Sequence, residues 1–473
     1  MDTIETDLCI IGAGSGGLSI AAGAAQMGAR VVLIEAGEMG GDCLNAGCVP
    51  SKALIASAKH AHAMTDGAAF GVAPVTPEVD FGAVKDRVAK VIATIAPVDS
   101  QERFEGLGVR VIRAWGKFTG PDEVEAGGHR IKARRYIVAT GSHPFVPPIP
   151  GIDSIPYMTN ENVFALRERP SHLIVIGGGP IGMEMAQAHR RLGCEVTVIE
   201  GAKALGRDDP EMAAIVLENL RHEGVAIVEG AAVTAVSGEA GAIKVTVADG
   251  RVFEGSHLLM AVGRKVALDN MGLDVANVAF TRKGVTVGDD LRSTTNRKVY
   301  AVGDAAGGLQ FTHVAGYHAG IVVRSALFGL PAKQSTRHIP WATYTDPELA
   351  QVGLTEAEAK KAHGEAVEVV RFPFHENDRA QAEGRVHGLI KVMVVKGRPV
   401  GVSIAGPQAG ELIGLWALAI SAKLKMSAIA GMVAPYPTLG EVSKRAAGAY
   451  FAPRLFKNPN VKRFVAFVQR WLP

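Results

Sequence analysis

A glycine-rich turn between an apolar strand and a helix is written twice in this chain, 165 residues apart. Gly12, Gly14 and Gly17 recur as Gly177, Gly179 and Gly182, and Glu35 recurs as Glu200, every pair at that offset. Residues 8–11 and 30–34 read as short buried strands flanking a small-residue helix over 15–28; 173–176, 180–192 and 195–199 repeat the arrangement. The glycines permit a tight turn and let backbone N–H groups at the helix N-terminus meet a pyrophosphate. The acid that ends the following strand accepts from a ribose diol. With 56 glycines in 473 residues, a single such string is expected by chance roughly once and would carry little. Two copies, each after a strand, opening a helix and followed 23 residues on by an acid, point to two dinucleotide sites.

A length of 473 residues suggests about three domains. Strands are expected over 127–135 and 136–140, and the proline-rich stretch 143–150 reads as the linker to the second repeat. From residue 340 the fingerprints stop. Alternating runs over 367–372 and 389–395, then a helical 410–424, predict an antiparallel sheet with helices. The fold class is therefore α/β, two Rossmann-like domains plus a C-terminal α+β domain. Fifty basic against 47 acidic residues leave +3, too little for a nucleic-acid binder. Four cysteines are too few for a disulfide scaffold and imply a reducing, cytoplasmic setting. Asp2, Glu5 and Asp7 precede the apolar run 8–27 where an export signal carries basic residues, and no other segment reaches spanning length uninterrupted.

Two of the four cysteines fall in the stretch 41–52, GDCLNAGCVPSK. Cys43 and Cys48, opening a helix expected from Pro50, suit a disulfide closed across one turn, and a helix N-terminus stabilises a thiolate. A zinc half-site and an inert buried pair are the other readings; no second ligand pair accompanies them, so no metal site is expected. Cys9 and Cys194 read as core residues. Glu200 favours a free 2′-hydroxyl and hence NADH over NADPH, with Lys203 and Arg207 pulling the other way.

Taken together, GAGSGG, CLNAGCVPSK, ATGS, GGGPIGME, AVGD and YTDPE resemble the class I pyridine nucleotide-disulfide oxidoreductases, the family of glutathione reductase, dihydrolipoamide dehydrogenase and mercuric reductase. The resemblance covers essentially the whole chain. It implies an FAD-binding domain over 1–148 and 267–338, an NAD-binding domain over 149–266, and a dimerisation domain over 339–473 of a homodimer. Gly12, Gly14, Gly17 and Glu35 would hold FAD, with Thr140 and Gly141 closing over it, Asp304 on its ribityl chain and the helix from Thr312 and His313 aimed at its pyrimidine. Gly177, Gly179, Gly182 and Glu200 would hold NAD. Cys48 would be the thiol next to the flavin, Cys43 the outer thiol that attacks substrate, and Lys52 would pair with Glu184 beside the flavin. Electrons would pass from nicotinamide through flavin to the Cys43–Cys48 disulfide and on to a disulfide or other thiol-reactive acceptor.

The glutathione and lipoamide members carry a His-Pro with a Glu five residues after the His. Here Tyr436 replaces the histidine while Glu441 remains, which disfavours dihydrolipoamide dehydrogenase activity. Tyrosine at this position resembles mercuric reductase, yet that family's C-terminal cysteine pair is missing, since no cysteine follows Cys194. Two alternatives stand beside the leading reading: a mercuric-reductase-like metal ion reductase, and a membrane-peripheral enzyme passing electrons from NADH to a quinone. In the tail, Arg454, Lys457, Lys462, Arg463 and Arg470 interleave with Leu455, Phe456, Phe464, Phe467, Val468, Trp471 and Leu472. That pattern suits either a helix packed on the dimer or peripheral contact with the inner face of a membrane.

Overall fold

The computed structural model describes residues 2–472. Strand β1 (Asp2–Ile11), helix α1 (Ser15–Gln26) and strand β2 (Val31–Glu35) form the first βαβ unit. A short helix α2 (Gly41–Asn45) and the longer α3 (Cys48–Thr65) follow. β1 lies parallel between β2 and β3 (His129–Val138), with Leu8 opposite Val31 and Arg135. Leu8 and Ile10 face one core, Cys9 and Ile11 the other, so β1 is buried on both faces as a central parallel strand should be. Residues 127–140 were expected to form two strands and form one. Tyr136, fully buried, continues the pairing with β1 without a turn. Val299–Ala301 also joins this sheet, parallel to β3.

β4 (His172–Ile176), α4 (Pro180–Arg191) and β5 (Glu195–Ile199) form the second βαβ unit, and His257–Met260 pairs parallel to β4 on its other side. The stretch after residue 140 is more than a linker: Ser142–Pro144 makes an antiparallel ladder with Arg264–Val266. Helix α5 (Thr312–Phe328) packs on α1.

The chain divides into two compact units. One holds the chain up to Asp66, Pro74–Gly201 and Gly230–Ser335; the other holds Gly67–Ala73, Ala202–Glu229 and the chain from Thr336 on. The second contains a five-stranded antiparallel sheet ordered Pro340–Thr343, Glu348–Gly353, Arg398–Gly406, Leu389–Val395 and Val367–Pro373. Helix Ala409–Ser421 and helix α6 (Glu441–Phe456) share its core. There the buried Trp416 donates its indole N–H to Ser443 at 3.0 Å.

Both glycine turns fold alike in detail. Gly12 and Gly177 adopt φ of +109° and +111°. A Cβ on Gly17 would sit 1.9 Å from the Gly12 carbonyl oxygen, and one on Gly182 would sit 2.0 Å from that of Gly177, so helix and strand touch backbone to backbone. The middle glycines have no such reason. Gly14 and Gly179 cap their helices at φ of −83° and −77°, which any residue adopts. A Cβ on Gly179 would meet nothing within 4 Å, and one on Gly14 would reach only the Gly41 Cα, at 4.0 Å. Space kept open at a helix N-terminus with no protein atom to fill it fits a bound pyrophosphate.

This contrast separates folding from binding. Gly182→Ala is expected to lose at least about 1–3 kcal/mol of stability through overpacking. Gly179→Ala is expected to lose no more than about 1 kcal/mol, the ordinary difference at a helix N-cap, while weakening pyridine nucleotide binding. Urea unfolding and nucleotide titration of the two variants check both halves.

Candidate active site

Each acid at a strand end is held by the turn it faces. The Glu35 carboxylate accepts from the N–H groups of Ala13 and Gly37, both at 2.6 Å, and Glu200 accepts from Gly178 at 2.7 Å. A carboxylate offers about four acceptor sites, so each can still receive a ribose diol. Across the first sheet, the Thr140 hydroxyl is buried without a hydrogen-bond partner among the described residues. Gly141 beside it has φ +68° and open space at its Cβ position. An orphaned hydroxyl and an open cradle above the first fingerprint are what a bound FAD would satisfy.

Helix α2 carries Cys43 and α3 opens on Cys48, two residues earlier than expected, because proline is tolerated in a first helical turn. Both are free thiols, Cys43 half-buried and Cys48 exposed. The neighbouring Cys43 thiol does most to lower Cys48, to about 6. The Thr312 hydroxyl, 3.4 Å from the Cys48 sulfur at the start of α5, and the Lys52 ammonium add to it against the cost of burial. The neighbouring Cys48 sulfur and burial push Cys43 up. Position at the first turn of α3 favours the Cys48 thiolate independently, through the exposed N–H groups there. Lys52 meets the nearly buried Glu184 at 2.8 Å, the pairing expected from the sequence. Burial lifts Cys9 well above the usual thiol range and Cys194 to about 11, so both are inert core residues.

The loop between the cysteines is braced by residues to which the sequence reading gave no role. Asn160 donates to the Asp42 carboxylate at 2.9 Å and to the Ala46 carbonyl at 3.0 Å, tying together the two ends of the loop. Asp42 also meets the Arg264 guanidinium at 3.2 Å. Arg264 in turn donates to the Ser142 hydroxyl and carbonyl, both at 2.7 Å, and Ser142 donates to Asp304. Thus Asp304 is joined to the residue preceding Cys43. Asp42 lay inside the cysteine motif and its adjacency to Cys43 was a usable signal. Asn160 and Arg264 are more than a hundred residues away in sequence, and nothing local marks them.

Tyr436 and Glu441 lie in the second unit. Tyr436 is 69% exposed, and the nearby Asp378 carboxylate raises its pKa; Asp378 meets Arg445 at 3.3 Å. Glu441, the first residue of α6, turns toward the Thr438 N–H at 3.5 Å, a weak contact. His363, His375 and His387 are exposed.

Comparison with known proteins bears on this geometry. Residues 6–319 match the family model described as pyridine nucleotide-disulphide oxidoreductase, and residues 339–447 match that family's dimerisation domain. A mercuric reductase of Lysinibacillus sphaericus is 34% identical over 447 residues, 93% of this chain and 82% of that protein. A dihydrolipoyl dehydrogenase of Thermus scotoductus is 36% identical over 462 residues, 94% of this chain and 97% of that protein. Among solved structures, the Cu(II) complex of the HOCl-induced flavoprotein disulfide reductase RclA from Escherichia coli superposes with a TM-score of 0.82 at 28% identity, covering 93% of this chain and 99% of that one.

The charge on Cys48 has a pH signature. In Cys43→Ser, whose hydroxyl can stand in for the thiol, alkylation of Cys48 by iodoacetamide is expected to stay fast down to about pH 6 and to fall below it, as the thiolate takes up its proton. A midpoint near the ordinary thiol value of about 8.5 would show that the surroundings do not hold the charge.

Proposed function

We propose, on the premise that the chain belongs to the pyridine nucleotide-disulphide oxidoreductase family, that its Cys43–Cys48 pair delivers electrons from NADH to a soft, thiol-reactive acceptor. The family makes this a homodimeric oxidoreductase that uses FAD and a pyridine nucleotide. FAD, when bound, supplies the two-electron exchange between pyridine nucleotide and the cysteine pair. Gly12, Gly14, Gly17, Glu35, Thr140, Gly141, Asp304 and Thr312 would hold it; Gly177, Gly179, Gly182 and Glu200 would hold NADH.

The observation that carries the reading is the pair of free thiols on adjoining helices, Cys48 at the first turn of α3 with the Thr312 hydroxyl 3.4 Å from its sulfur; their opposite tendencies, Cys48 lowered and Cys43 raised, leave the pair's proton on Cys43. Moving that proton from Cys43 to Cys48 leaves Cys43 as the nucleophile. Its sulfur attacks one sulfur of a disulfide, forming a mixed disulfide and expelling one thiolate. Cys48 then gives up its proton and attacks Cys43, closing the Cys43–Cys48 disulfide and expelling the second thiolate. Two electrons have left the pair, and both products take their protons from solvent. Lys52, paired with Glu184, keeps a positive end near Cys48 while that charge is present.

Tyr436 sets the acceptor class. A phenol, whose ordinary pKa of about 10 the nearby Asp378 carboxylate raises further, is protonated at neutral pH and does not serve as the base that draws a proton from a dithiol. Acceptors that need no proton from the enzyme are favoured: a disulfide with good leaving groups, or a thiophilic metal ion taken between the two thiolates. The second reading draws on the mercuric reductase and on the Cu(II) complex of RclA among the similar proteins. Work with reduced thiols and pyridine nucleotide belongs to a reducing, cytoplasmic compartment.

A panel of acceptors assayed anaerobically with NADH tests the proposal. Cys43→Ser is expected to abolish reduction of disulfides and of thiophilic ions and to spare quinones. Dihydrolipoamide oxidation should run about 10² to 10⁴ below that of an enzyme with a histidine base, and Tyr436→His should raise it. Full disulfide or metal ion turnover by Cys43→Ser would overturn the assignment.

Cofactor choice follows from Glu200, whose carboxylate repels a 2′-phosphate. The kcat/KM for NADH is expected to exceed that for NADPH at least about tenfold, roughly 1.4 kcal/mol in transition-state energy. Equal values would mean that Lys203 or Arg207 captures the phosphate.

A further inference from the structure

Beyond α6 the chain forms one more helix, α7 (Pro459–Trp471), and nothing in the second unit covers it. The dimerisation-domain match ends at residue 447, before α7 begins. None of its residues is buried: Phe464 and Trp471 are each 65% exposed, Phe467 57%, and Leu472, just past its end, 60%. Isolated exposed aliphatics are ordinary, but three exposed aromatics on one short helix are not.

The two faces of α7 are cleanly sorted. At about 100° per residue, Val461, Phe464, Val465, Phe467, Val468, Trp471 and Leu472 fall within one half of the wheel, and Lys462, Arg463 and Arg470 fall on the other. Charge is equally one-sided. After Glu441 the described chain contains no acid, whereas Lys444, Arg445, Arg454, Lys457, Lys462, Arg463 and Arg470 are basic. Arg445 and Arg454 are spent on Asp378 and Glu368. Lys457, Lys462, Arg463 and Arg470 make no ion pair among the described residues, and the Arg470 guanidinium lies over the Trp471 ring at 5.4 Å.

We infer that α7 is a membrane-surface helix whose occupant is an anionic bilayer. Its 13 residues span about 20 Å, too short to cross a hydrocarbon core of about 30 Å but suited to lying in the interface. Phenylalanine and tryptophan rings would enter the headgroup and acyl boundary, while Lys462, Arg463 and Arg470 meet lipid phosphates from above. Charge argues against α7 of a second copy as the occupant. Packing two α7 faces together would also bring together two basic rims with no acid to offset them. A polyanion without an apolar phase would leave the aromatic face in water. The inference is independent of which acceptor the cysteines reduce.

Co-sedimentation of the full-length holoenzyme with phosphatidylcholine vesicles, with and without phosphatidylglycerol at a third of the lipid, tests it. Binding is expected only to the anionic vesicles and is expected to weaken as salt is raised. Arg463→Glu with Arg470→Glu, and separately Phe464→Ser with Phe467→Ser, should each weaken it at least about tenfold. NADH oxidation with a soluble acceptor should be unchanged in both, showing that the variants fold. Equal binding to neutral vesicles, no binding to anionic ones, or a lipid-free assembly larger than a dimer that Phe464→Ser with Phe467→Ser dissolves would overturn the inference. The last result would assign the face to a second copy.

Discussion

A thiolate at Cys48 has to be held without a full counter-ion of its own, because the nearest ammonium, Lys52, already lies 2.8 Å from Glu184. The pair acts on Cys48 in opposite senses, Lys52 favouring the thiolate and Glu184 opposing it. What remains is local and directional: the Cys43 thiol, the Thr312 hydroxyl and the first turn of α3. Hydrogen bonds of this kind give a charge a fixed address without making it too stable to react, since a fully paired thiolate is a poor nucleophile. Much of the surrounding structure serves that address. α3 must begin at Cys48, α5 must deliver Thr312, and the loop between the cysteines must keep one shape whichever sulfur holds the proton.

The bracing of that loop explains why a small network reaches so far. Asn160 fixes Asp42 to Ala46, and Arg264 fixes Asp42 to Ser142 and, through it, to Asp304. Arg264 sits on the strand that pairs with Ser142–Pro144, so the ladder first read as a linker aligns two parts of the site. The same economy appears in the glycine turns. Gly17 and Gly182 are needed by the backbone itself, whereas a Cβ on Gly14 or Gly179 would meet almost no protein atom, which leaves room at each helix N-terminus for the pyrophosphate proposed there.

The repeat, the strand ends and the thiol pair were legible because each rests on residues whose chemistry is written locally or at a fixed offset; the Lys52–Glu184 contact was expected only through the family resemblance. Other features were not legible. Asn160 and Arg264 act through contacts across more than a hundred residues, and an asparagine or arginine in isolation has no pattern to read. Tyr436 and Glu441 were picked out only because the family carries a His-Pro and a Glu at these positions, and the spacing says nothing of what else lies beside the phenol. Asp378, distant in sequence, lies near the phenol and raises its pKa, while Glu441 faces its own helix start. The tail's periodicity gave a helix correctly, but only the folded chain shows that its aromatic face is left uncovered.

The central claim is that reducing equivalents pass through Cys43 and Cys48 together. Differential alkylation with mass spectrometry, before and after one equivalent of NADH is added anaerobically to the FAD-loaded enzyme, measures this directly. Starting from the oxidised enzyme, with the Cys43–Cys48 disulfide closed, the account predicts that both cysteines are protected beforehand, that both become alkylated afterwards, with two thiols gained per NADH consumed, and that Cys9 and Cys194 do not change. Consumption of NADH with no new thiol at either position would contradict it.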